Sequence, residues 1–198
     1  MSLALPPSPA PLRRRTLLVG SALTCAAGAM LMGSMLAVYL SLRDKNFHTG
    51  ANPAPWMPRG VKIPEIQTNI MLIIMLSASV MIQWAVYAVK RNDRQHSYMA
   101  LGMTALCGIA VLNAQVYTWI QMKMVLFSSR YATLVYSITG TFFALLIAGV
   151  IMTALLAFRT LGGRSTTGHT EYLSAAAMYW HFLSVAYSAM WLVVYVAK

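Results

Sequence analysis

Five long apolar segments constrain the fold of this chain more than any other feature. None of them contains Lys, Arg, Asp or Glu, and they cover approximately residues 17–42, 66–89, 98–120, 131–158 and 173–196. A membrane-spanning helix needs about 20 consecutive apolar residues, whereas a barrel strand needs about 10 residues of alternating polarity. The segments are too long and too uniformly apolar for strands, so they predict an all-α integral membrane bundle of five transmembrane helices.

The charged residues and the prolines divide the chain in the same way. Only 10% of the residues are charged, against about 25% in soluble domains. The four acids fall between the apolar segments or at their edges, at Asp44, Glu65, Asp93 and Glu171. All eight prolines lie before residue 12 or within 53–64, where a missing N–H does not disturb a helix in lipid. We therefore predict a mobile cytoplasmic tail at 1–15 and a single five-helix domain at 16–198, with a Pro-rich outer loop at 43–65.

Basic residues predict the orientation in the membrane. The amino-terminal Arg13–Arg15 and the short turn Lys90–Arg94 hold their charges against the membrane, whereas the charges of loop 43–65 are spread out. Because Lys and Arg concentrate on the cytoplasmic side, the N-terminus is predicted to be cytoplasmic and the C-terminus outside. The net charge of +11 then indicates contact with anionic lipid head groups and not with nucleic acid, since no basic domain lies outside the membrane. The first segment exceeds the roughly 7–15-residue core of a signal peptide, so we expect an uncleaved anchor.

Few residues are suited to hold a cofactor or to catalyse a reaction. His181 is the one histidine well inside an apolar segment. The other three lie in connections without metal-ligand spacing, at His48, His96 and His169. Cys25 and Cys107 are isolated from each other and form no CxxC pattern. The 15 methionines are soft enough to ligate copper(I), but Met also packs irregular apolar gaps, which is the favoured interpretation. We therefore expect no catalytic residue, haem or metal in this chain.

The remaining polar and small residues suggest contacts between helices. No acid lies deep inside a segment, although intramembrane acids usually mark proton relays. The larger polar side chains are interpreted as interhelical hydrogen-bonding groups: Asn69, Gln83, Asn113 and Gln115. Small residues recur at four-residue spacing in two segments, at Ala29 and Gly33 and at Gly140, Ala144 and Ala148. Such spacing is compatible with close approach of neighbouring helix backbones, and chance scattering of small residues is an equally open interpretation of each pair.

The last apolar segment carries the most specific pattern in the chain. Residues 174–187 are SAAAMYWHFLSVAY, which resembles E-A-A-A-x-Y-W-H-F-V-D-V-V-W, a signature of subunit III of haem–copper terminal oxidases. Further matches to that family are MLAVYLSLR, IPEIQTNIMLIIMLSASVMIQWAVYAVKRNDR, ALCGIAVLNAQVYTW and SITGTFFALLIAG, in chain order. The resemblance extends from about residue 27 to the C-terminus. Five spans correspond to the short bacterial form of this subunit.

The resemblance implies a function carried out through a partner. It implies a non-catalytic subunit of a bacterial respiratory haem–copper oxidase in the cytoplasmic (inner) membrane, packed against the catalytic subunit I and other oxidase subunits. Haem and copper are then expected in the partner subunits, and bound phospholipid in the grooves of this chain. The subunit is expected to support the stability of its partner and proton uptake during oxygen reduction.

Several ionisable residues of the family pattern are replaced in this chain. The corresponding positions are Gly28, Thr118, Phe142, Leu145, Ser174 and Ser184. His181 is the ionisable residue of the last-segment signature that remains. The replacements place in question the expected roles in lipid head-group binding and in proton uptake. They do not affect the expected role of the chain as a scaffold that packs against its partner.

The resemblance and the polar residues together select five candidate lipid or subunit contacts, which are His181, Trp180, Tyr179, Gln115 and Asn69. His181 is expected near the cytoplasmic side, about two turns into the last helix. The alternative for His181 is a neutral imidazole that donates to a carbonyl of a neighbouring helix, with Trp180 and Tyr179 as interfacial aromatic residues.

Two other functions stay open at this point. The replaced carboxylates are compatible with a subunit III homologue in another membrane redox complex, such as a nitric oxide reductase or a monooxygenase. An autonomous small transporter is less favoured, because no inverted repeat, no Gly/Pro-broken span and no buried charge marks a substrate path. The electron donor of the complex, cytochrome c or quinol, is also left open.

Overall fold

The computed structural model describes residues 16–48, 56–58, 60–126, 128–161 and 169–197. Within these ranges the chain forms no strand and five long helices, α1 (Thr16–His48), α2 (Glu65–Lys90), α3 (Arg94–Met122), α4 (Arg130–Leu161) and α5 (His169–Met190). A π-helical turn, Trp191–Val196, continues α5. All five helices are long and apolar enough to cross a membrane, which confirms the predicted fold class.

Some predictions concern features beyond these ranges. The tail at 1–15 lies outside the described residues, as do residues 49–55 and 59 of the loop at 43–65. The division into tail and single domain, and the orientation with a cytoplasmic N-terminus, stay predictions.

The turn between α2 and α3 is closed by local hydrogen bonds. Asp93 caps the start of α3, because its Oδ1 accepts the His96 backbone N–H at 3.1 Å. This bond, together with the 2.7 Å contact between Asp93 Oδ2 and His96 Nδ1, holds the pKa of the Asp93 carboxyl below its ordinary value. Asn92 precedes the cap in the left-handed region, with φ of 55°. The charged turn therefore ends one helix and starts the next within three residues.

α5 lies at the centre of the bundle and packs against α1, α2 and α4. Half of its most apolar stretch is buried inside the chain, against 28–33% for the other helices. Trp180, Leu183, Tyr187 and Met190 on this helix are fully buried. α2 and α3 form an antiparallel hairpin with extensive contact, and α4 packs against both α3 and α1. The core is thus organised around the segment that carries the most specific sequence pattern.

Three glycines allow close packing against α5. A Cβ at Gly28 would lie 2.7 Å from the Phe182 ring, and one at Gly149 would lie 2.9 Å from Leu183. A Cβ at Gly108 would lie 2.5 Å from the Val150 side chain and 2.9 Å from Trp180. These positions are so close to neighbouring side chains that no larger residue fits without movement.

The predicted small-residue pairs do not mediate this packing. A Cβ at Gly33 or Gly140 would meet nothing within 4 Å. Ala29, Ala144 and Ala148 are exposed on the outside of the bundle. The expectation that these pairs bring helices together is therefore wrong for the described part of the chain. Four-residue spacing identifies one face of a helix but does not say whether that face points inward.

Candidate functional site: the polar seam between α2 and α5

One face of α5 forms a row of hydrogen bonds with α2. Its residues recur at three- and four-residue spacing, which places them on the same side of the helix. We call this row the α2–α5 seam; its members are His181, Ser184 and Tyr187 on α5 and Trp191 at the start of the π-helical turn.

His181 is bonded to two α2 side chains that are one turn apart. Its Nδ1 pairs with Ser79 Oγ, and its Nε2 lies 3.2 Å from Gln83 Oε1. The Gln83 carbonyl oxygen is an acceptor, so Nε2 carries the proton in this arrangement. In a neutral ring Nδ1 then accepts from the Ser79 hydroxyl. Both ring nitrogens are therefore satisfied within the chain.

Ser184 and Tyr187 continue the seam deeper into the bundle. Ser184 Oγ lies 2.9 Å from the Met75 carbonyl and 3.0 Å from the Trp180 carbonyl, one of which accepts its proton. The Tyr187 hydroxyl donates to the Thr68 carbonyl at 3.0 Å. Both α5 side chains are buried, so the bonds compensate polar groups that would otherwise face hydrocarbon.

The seam ends where α5 changes to a π-helical turn. Trp191, the first residue of that turn, donates through Nε1 to Asn69 Oδ1 at 2.9 Å. Asn69 is exposed and Trp191 is partly exposed, so this bond lies at the edge of the bundle. A π-turn inserts extra backbone into a helix, and here it begins at Trp191, the last residue of the seam.

The opposite side of α5 is bonded to α4 and α1. Trp180 is fully buried and donates through Nε1 to Thr153 Oγ1 at 2.7 Å. The Tyr179 hydroxyl donates to the Leu145 carbonyl at 2.9 Å. Ser21 on α1 donates to the Ala175 carbonyl at 2.9 Å. Direct hydrogen bonds thus connect α5 to each of the three helices that surround it.

Gln115 occupies a separate buried position on α3. Its side chain is 1% exposed, and neither Nε2 nor Oε1 has a hydrogen-bond partner among the described residues. It lies close to the hydroxyl of Tyr195, which is also buried, but not in hydrogen-bonding geometry. The structure therefore places Gln115 away from the α2–α5 seam and beside the π-helical turn.

Three of the positions where the resemblance puts ionisable family residues are occupied by this chain's own packing, namely Gly28, Thr118 and Phe142. The Phe182 ring fills the space next to Gly28. Thr118 is buried and donates to the Ala114 carbonyl at 2.8 Å. Phe142 packs against the Tyr187 ring, with centroids 5.2 Å apart. The replacements are therefore accompanied by complementary packing and leave little space for a charged group at these positions.

The five sequence candidates fall into three places. His181 and Asn69 lie on the seam, Tyr179 and Trp180 face α4, and Gln115 is on α3. Trp180 and Gln115 are enclosed by the helices of this chain, so neither side chain reaches lipid or another subunit in this conformation. A lipid or subunit contact stays a prediction for the others.

The depth of His181 differs from the sequence expectation. α5 begins at His169, ahead of the apolar segment predicted from 173. His181 is therefore twelve residues, or about 18 Å, from the start of the helix, which is about three turns and not two. A prediction from hydrophobicity alone does not include the polar residues His169–Tyr172 in the helix.

Sequence reasoning identified His181, Gln83 and Asn69 but missed the other residues of the seam. Gln83 was recognised as an interhelical bonding group, whereas Ser79 and the seam roles of Ser184, Tyr187 and Trp191 were not. The spacing of polar residues at 181, 184 and 188 is the signal that indicates a polar helix face. Among the described residues, no three His, Cys, Asp or Glu side chains form a group that could hold a metal ion.

The fold and the seam define a multi-pass membrane protein whose helices are arranged as a scaffold around α5. The chain belongs to the cytochrome c oxidase subunit III family, whose model matches residues 14–198. This confirms the resemblance seen in the sequence.

Curated relatives show how much of the chain is shared. Cytochrome c oxidase subunit 3 of Synechocystis is 31% identical over 149 residues, which cover 71% of this chain and 61% of the relative. The pig protein of the same name is 27% identical over 162 residues, covering 76% and 59%. A probable cytochrome c oxidase subunit 3 of Rickettsia conorii is 32% identical over 150 residues, covering 71% and 51%. The matches thus span between 51% and 61% of the length of these relatives.

Proposed function

We propose that this chain is the non-catalytic subunit III of a bacterial respiratory haem–copper oxidase. In this function it packs against the catalytic subunit I in the cytoplasmic membrane, with its N-terminus inside. The observation that carries the proposal is the family match over residues 14–198, which includes all five helices. Haem and copper belong to the partner subunits, where oxygen is reduced.

The scaffold role is supported by the way polarity is distributed in the bundle. Hydrogen-bonding groups of α5 are used inside the chain, while large apolar side chains cover its outside. Examples are Met30 and Leu23 on α1, which are 77% and 68% exposed, and Phe158 on α4, which is 71% exposed. Surfaces of this kind require lipid or the apolar face of another subunit. We assign them to phospholipid and to the partner subunits.

A role in proton uptake is indirect in this proposal. All four acids lie at or beyond the helix ends, at Asp44, Glu65, Asp93 and Glu171. Intramembrane proton relays normally use buried carboxylates. The chain therefore supports proton uptake by holding the catalytic subunit and its lipid in place, and does not itself carry protons across the membrane.

A second candidate is a subunit III homologue in another membrane redox complex, such as a nitric oxide reductase or a monooxygenase. The packing that closes the family's ionisable positions at Gly28, Thr118 and Phe142 favours it. A chain that has left the oxidase no longer needs those groups. An autonomous transporter is a weaker candidate.

Co-purification tests the proposal and separates these candidates. A C-terminally tagged chain is extracted in mild detergent, and the polypeptides that accompany it are identified by mass spectrometry. We expect a large haem–copper oxidase polypeptide. Recovery of nitric oxide reductase or monooxygenase subunits would favour the second candidate. Recovery of the folded chain alone would contradict both and leave the transporter.

A further inference from the structure

A cavity of about 300 Å³ opens at the turn between α2 and α3, away from the α2–α5 seam. Its lining combines Trp84 and Tyr87 near the end of α2 with Arg91, Asp93 and His96 around the turn. The cavity lies where two membrane-spanning helices end and begin, at Lys90 and Arg94. That depth corresponds to the boundary between hydrocarbon and lipid head groups.

Aromatic and cationic side chains are held together at this cavity. The Trp84 and His96 rings are in contact, with centroids 5.8 Å apart. The Lys90 ammonium lies 5.7 Å from the centre of the Tyr87 ring. Trp and Tyr are favoured at membrane interfaces because their rings are apolar and their N–H and O–H groups are polar. The lining is therefore suited to the junction between an acyl chain and its head group.

The turn that borders the cavity is basic, because Lys90, Arg91 and Arg94 outnumber its one acid, Asp93. Asp93 is the acid in the lining, and its two oxygens are engaged by the His96 backbone N–H and ring. The Arg91 backbone N–H bonds to the end of α2, but its guanidinium forms no hydrogen bond or ion pair with another described residue, and Lys90 and Arg94 lie in the same turn. A guanidinium that has no partner within the protein is well suited to bind a phosphate group.

An apolar surface leads from the cavity along both helices. On α2, one turn before Trp84, Val80 is 65% exposed. On α3, about one and two turns after His96, Met99 and Met103 are each 48% exposed. These exposed side chains form an apolar surface from the cavity toward the middle of the membrane spans. An acyl chain would extend in the same direction from a head group at the basic turn.

We infer that this cavity binds the phosphate head group of an anionic phospholipid, with Arg91 as its charged contact and Trp84 and Tyr87 beside the glycerol and acyl region. The inference rests on the proposed function in that it specifies one place and one lipid class for the phospholipid binding included there. Charge complementarity and membrane depth select a lipid, because basic interfacial pockets bind anionic head groups.

The test uses the full chain in nanodiscs of phosphatidylcholine that contain a minor share of phosphatidylglycerol. After exchange into mild detergent, native mass spectrometry measures which lipids stay bound. The wild-type chain is expected to retain phosphatidylglycerol in preference to phosphatidylcholine. Arg91→Gln is expected to lower that retention by about tenfold, the effect of losing one charge-assisted contact.

Arg94→Gln is the matched control, because it removes the same charge from the same turn but Arg94 does not line the cavity. It is expected to lower retention by about threefold at most, through weaker general attraction to the membrane. Trp84→Leu keeps the charge and is expected to lower retention through lost ring contacts. Equal losses in Arg91→Gln and Arg94→Gln would overturn the inference in favour of diffuse attraction.

Two further outcomes would also overturn it. Arg91-dependent retention of inorganic phosphate by the delipidated chain, without a preference for phosphatidylglycerol, would assign the cavity to a free anion. A cross-link from position 84 to another subunit in the isolated complex, with no phosphatidylglycerol retained, would assign it to a protein contact. If the chain is recovered without a haem–copper partner but retains the lipid through Arg91, the proposed function fails while the lipid site stands.

Discussion

His181 joins α5 to α2 through two side chains one helical turn apart, Ser79 and Gln83. An imidazole without partners would leave two polar atoms in an apolar medium, and each hydrogen bond offsets that desolvation cost. The histidine is also close to mid-span, about three turns from the start of α5. Interhelical hydrogen bonding therefore accounts for the one histidine inside the apolar segments.

Replacement of His181 and Gln83 by Leu, singly and together, tests this bond. Each single change leaves a partner unbonded and is expected to lower the free energy of unfolding by about 1–2 kcal/mol. The double variant removes both groups, so its loss should fall short of the sum by about 0.6–1.7 kcal/mol. Reversible unfolding in mixed micelles measures all four chains. Additive losses would argue against a direct bond between the two side chains.

Gly108 is a second residue whose identity the packing explains. Gly108→Ala would place a methyl group 2.5 Å from Val150 and 2.9 Å from Trp180, which is fully buried. Overpacking of this kind is expected to lower the free energy of unfolding by about 1–3 kcal/mol.

Gly33→Ala is the matched control, since its new methyl group meets nothing within 4 Å. It is expected to be neutral or to stabilise α1 by up to about 1 kcal/mol, because Ala favours helix more than Gly. Thermal unfolding of both variants in the same detergent compares them. Equal destabilisation by the two changes would show that the close contact at Gly108 is not what limits residue size there.

α5 is the element on which the bundle depends, and Ser184 tests its contact with α2. Ser184 bonds to the Met75 carbonyl of α2, whereas Ser188 on the same helix donates only to the Ser184 carbonyl at 2.8 Å. Ser184→Ala is expected to lower the free energy of unfolding by about 0.6 kcal/mol, the average for a hydrogen bond between membrane helices.

Ser188→Ala removes a hydroxyl from the same helix without removing a bond to α2. Its effect on unfolding in the same mixed micelles should be smaller than that of Ser184→Ala. If the two variants have the same free energy of unfolding, the bond from Ser184 to α2 stabilises the chain no more than the intrahelical bond of Ser188. That result would contradict the role of α5 as the helix that connects the bundle.

Hydrophobicity predicted all five helices because lipid imposes one requirement on every span, an uninterrupted apolar stretch. It failed at the start of α5, where the polar residues His169–Tyr172 extend the helix beyond the apolar segment. The four-residue spacing of small residues indicated Gly33 and Gly140, which face outward, whereas Gly28, Gly108 and Gly149 are the glycines in close contact with neighbouring side chains. In a chain that is apolar on all sides, hydrophobic periodicity does not distinguish an inward face from an outward one.

The site was predicted only in part for a related reason. The local pattern marked His181, because a histidine in an apolar run is unusual whatever surrounds it. Its partners Ser79 and Gln83 lie about a hundred positions earlier in the chain and come into reach only when α2 and α5 pack together. Pairings between distant helices depend on topology, which a single sequence does not encode as a local pattern.

Considered as a whole, the chain forms hydrogen bonds inside the bundle through most polar side chains of α5 and exposes large apolar side chains outside. α5 is bonded to α1, α2 and α4, so the bundle presents its outer helix faces as a preformed surface. Family membership and this arrangement together support a subunit whose function depends on what covers that surface. The proposed function is therefore an association with other polypeptides, and a measurement of association tests it.

That measurement is size-exclusion chromatography of the affinity-purified, tagged chain in mild detergent, with absorbance recorded at the haem Soret band and at the protein band. For a subunit of a haem–copper oxidase we expect one peak in which haem absorbance and the tagged chain coincide, at a mass well above the 21.8 kDa of the chain itself. A folded chain that elutes without haem at every mild detergent concentration, from membranes that contain the oxidase, would contradict that expectation.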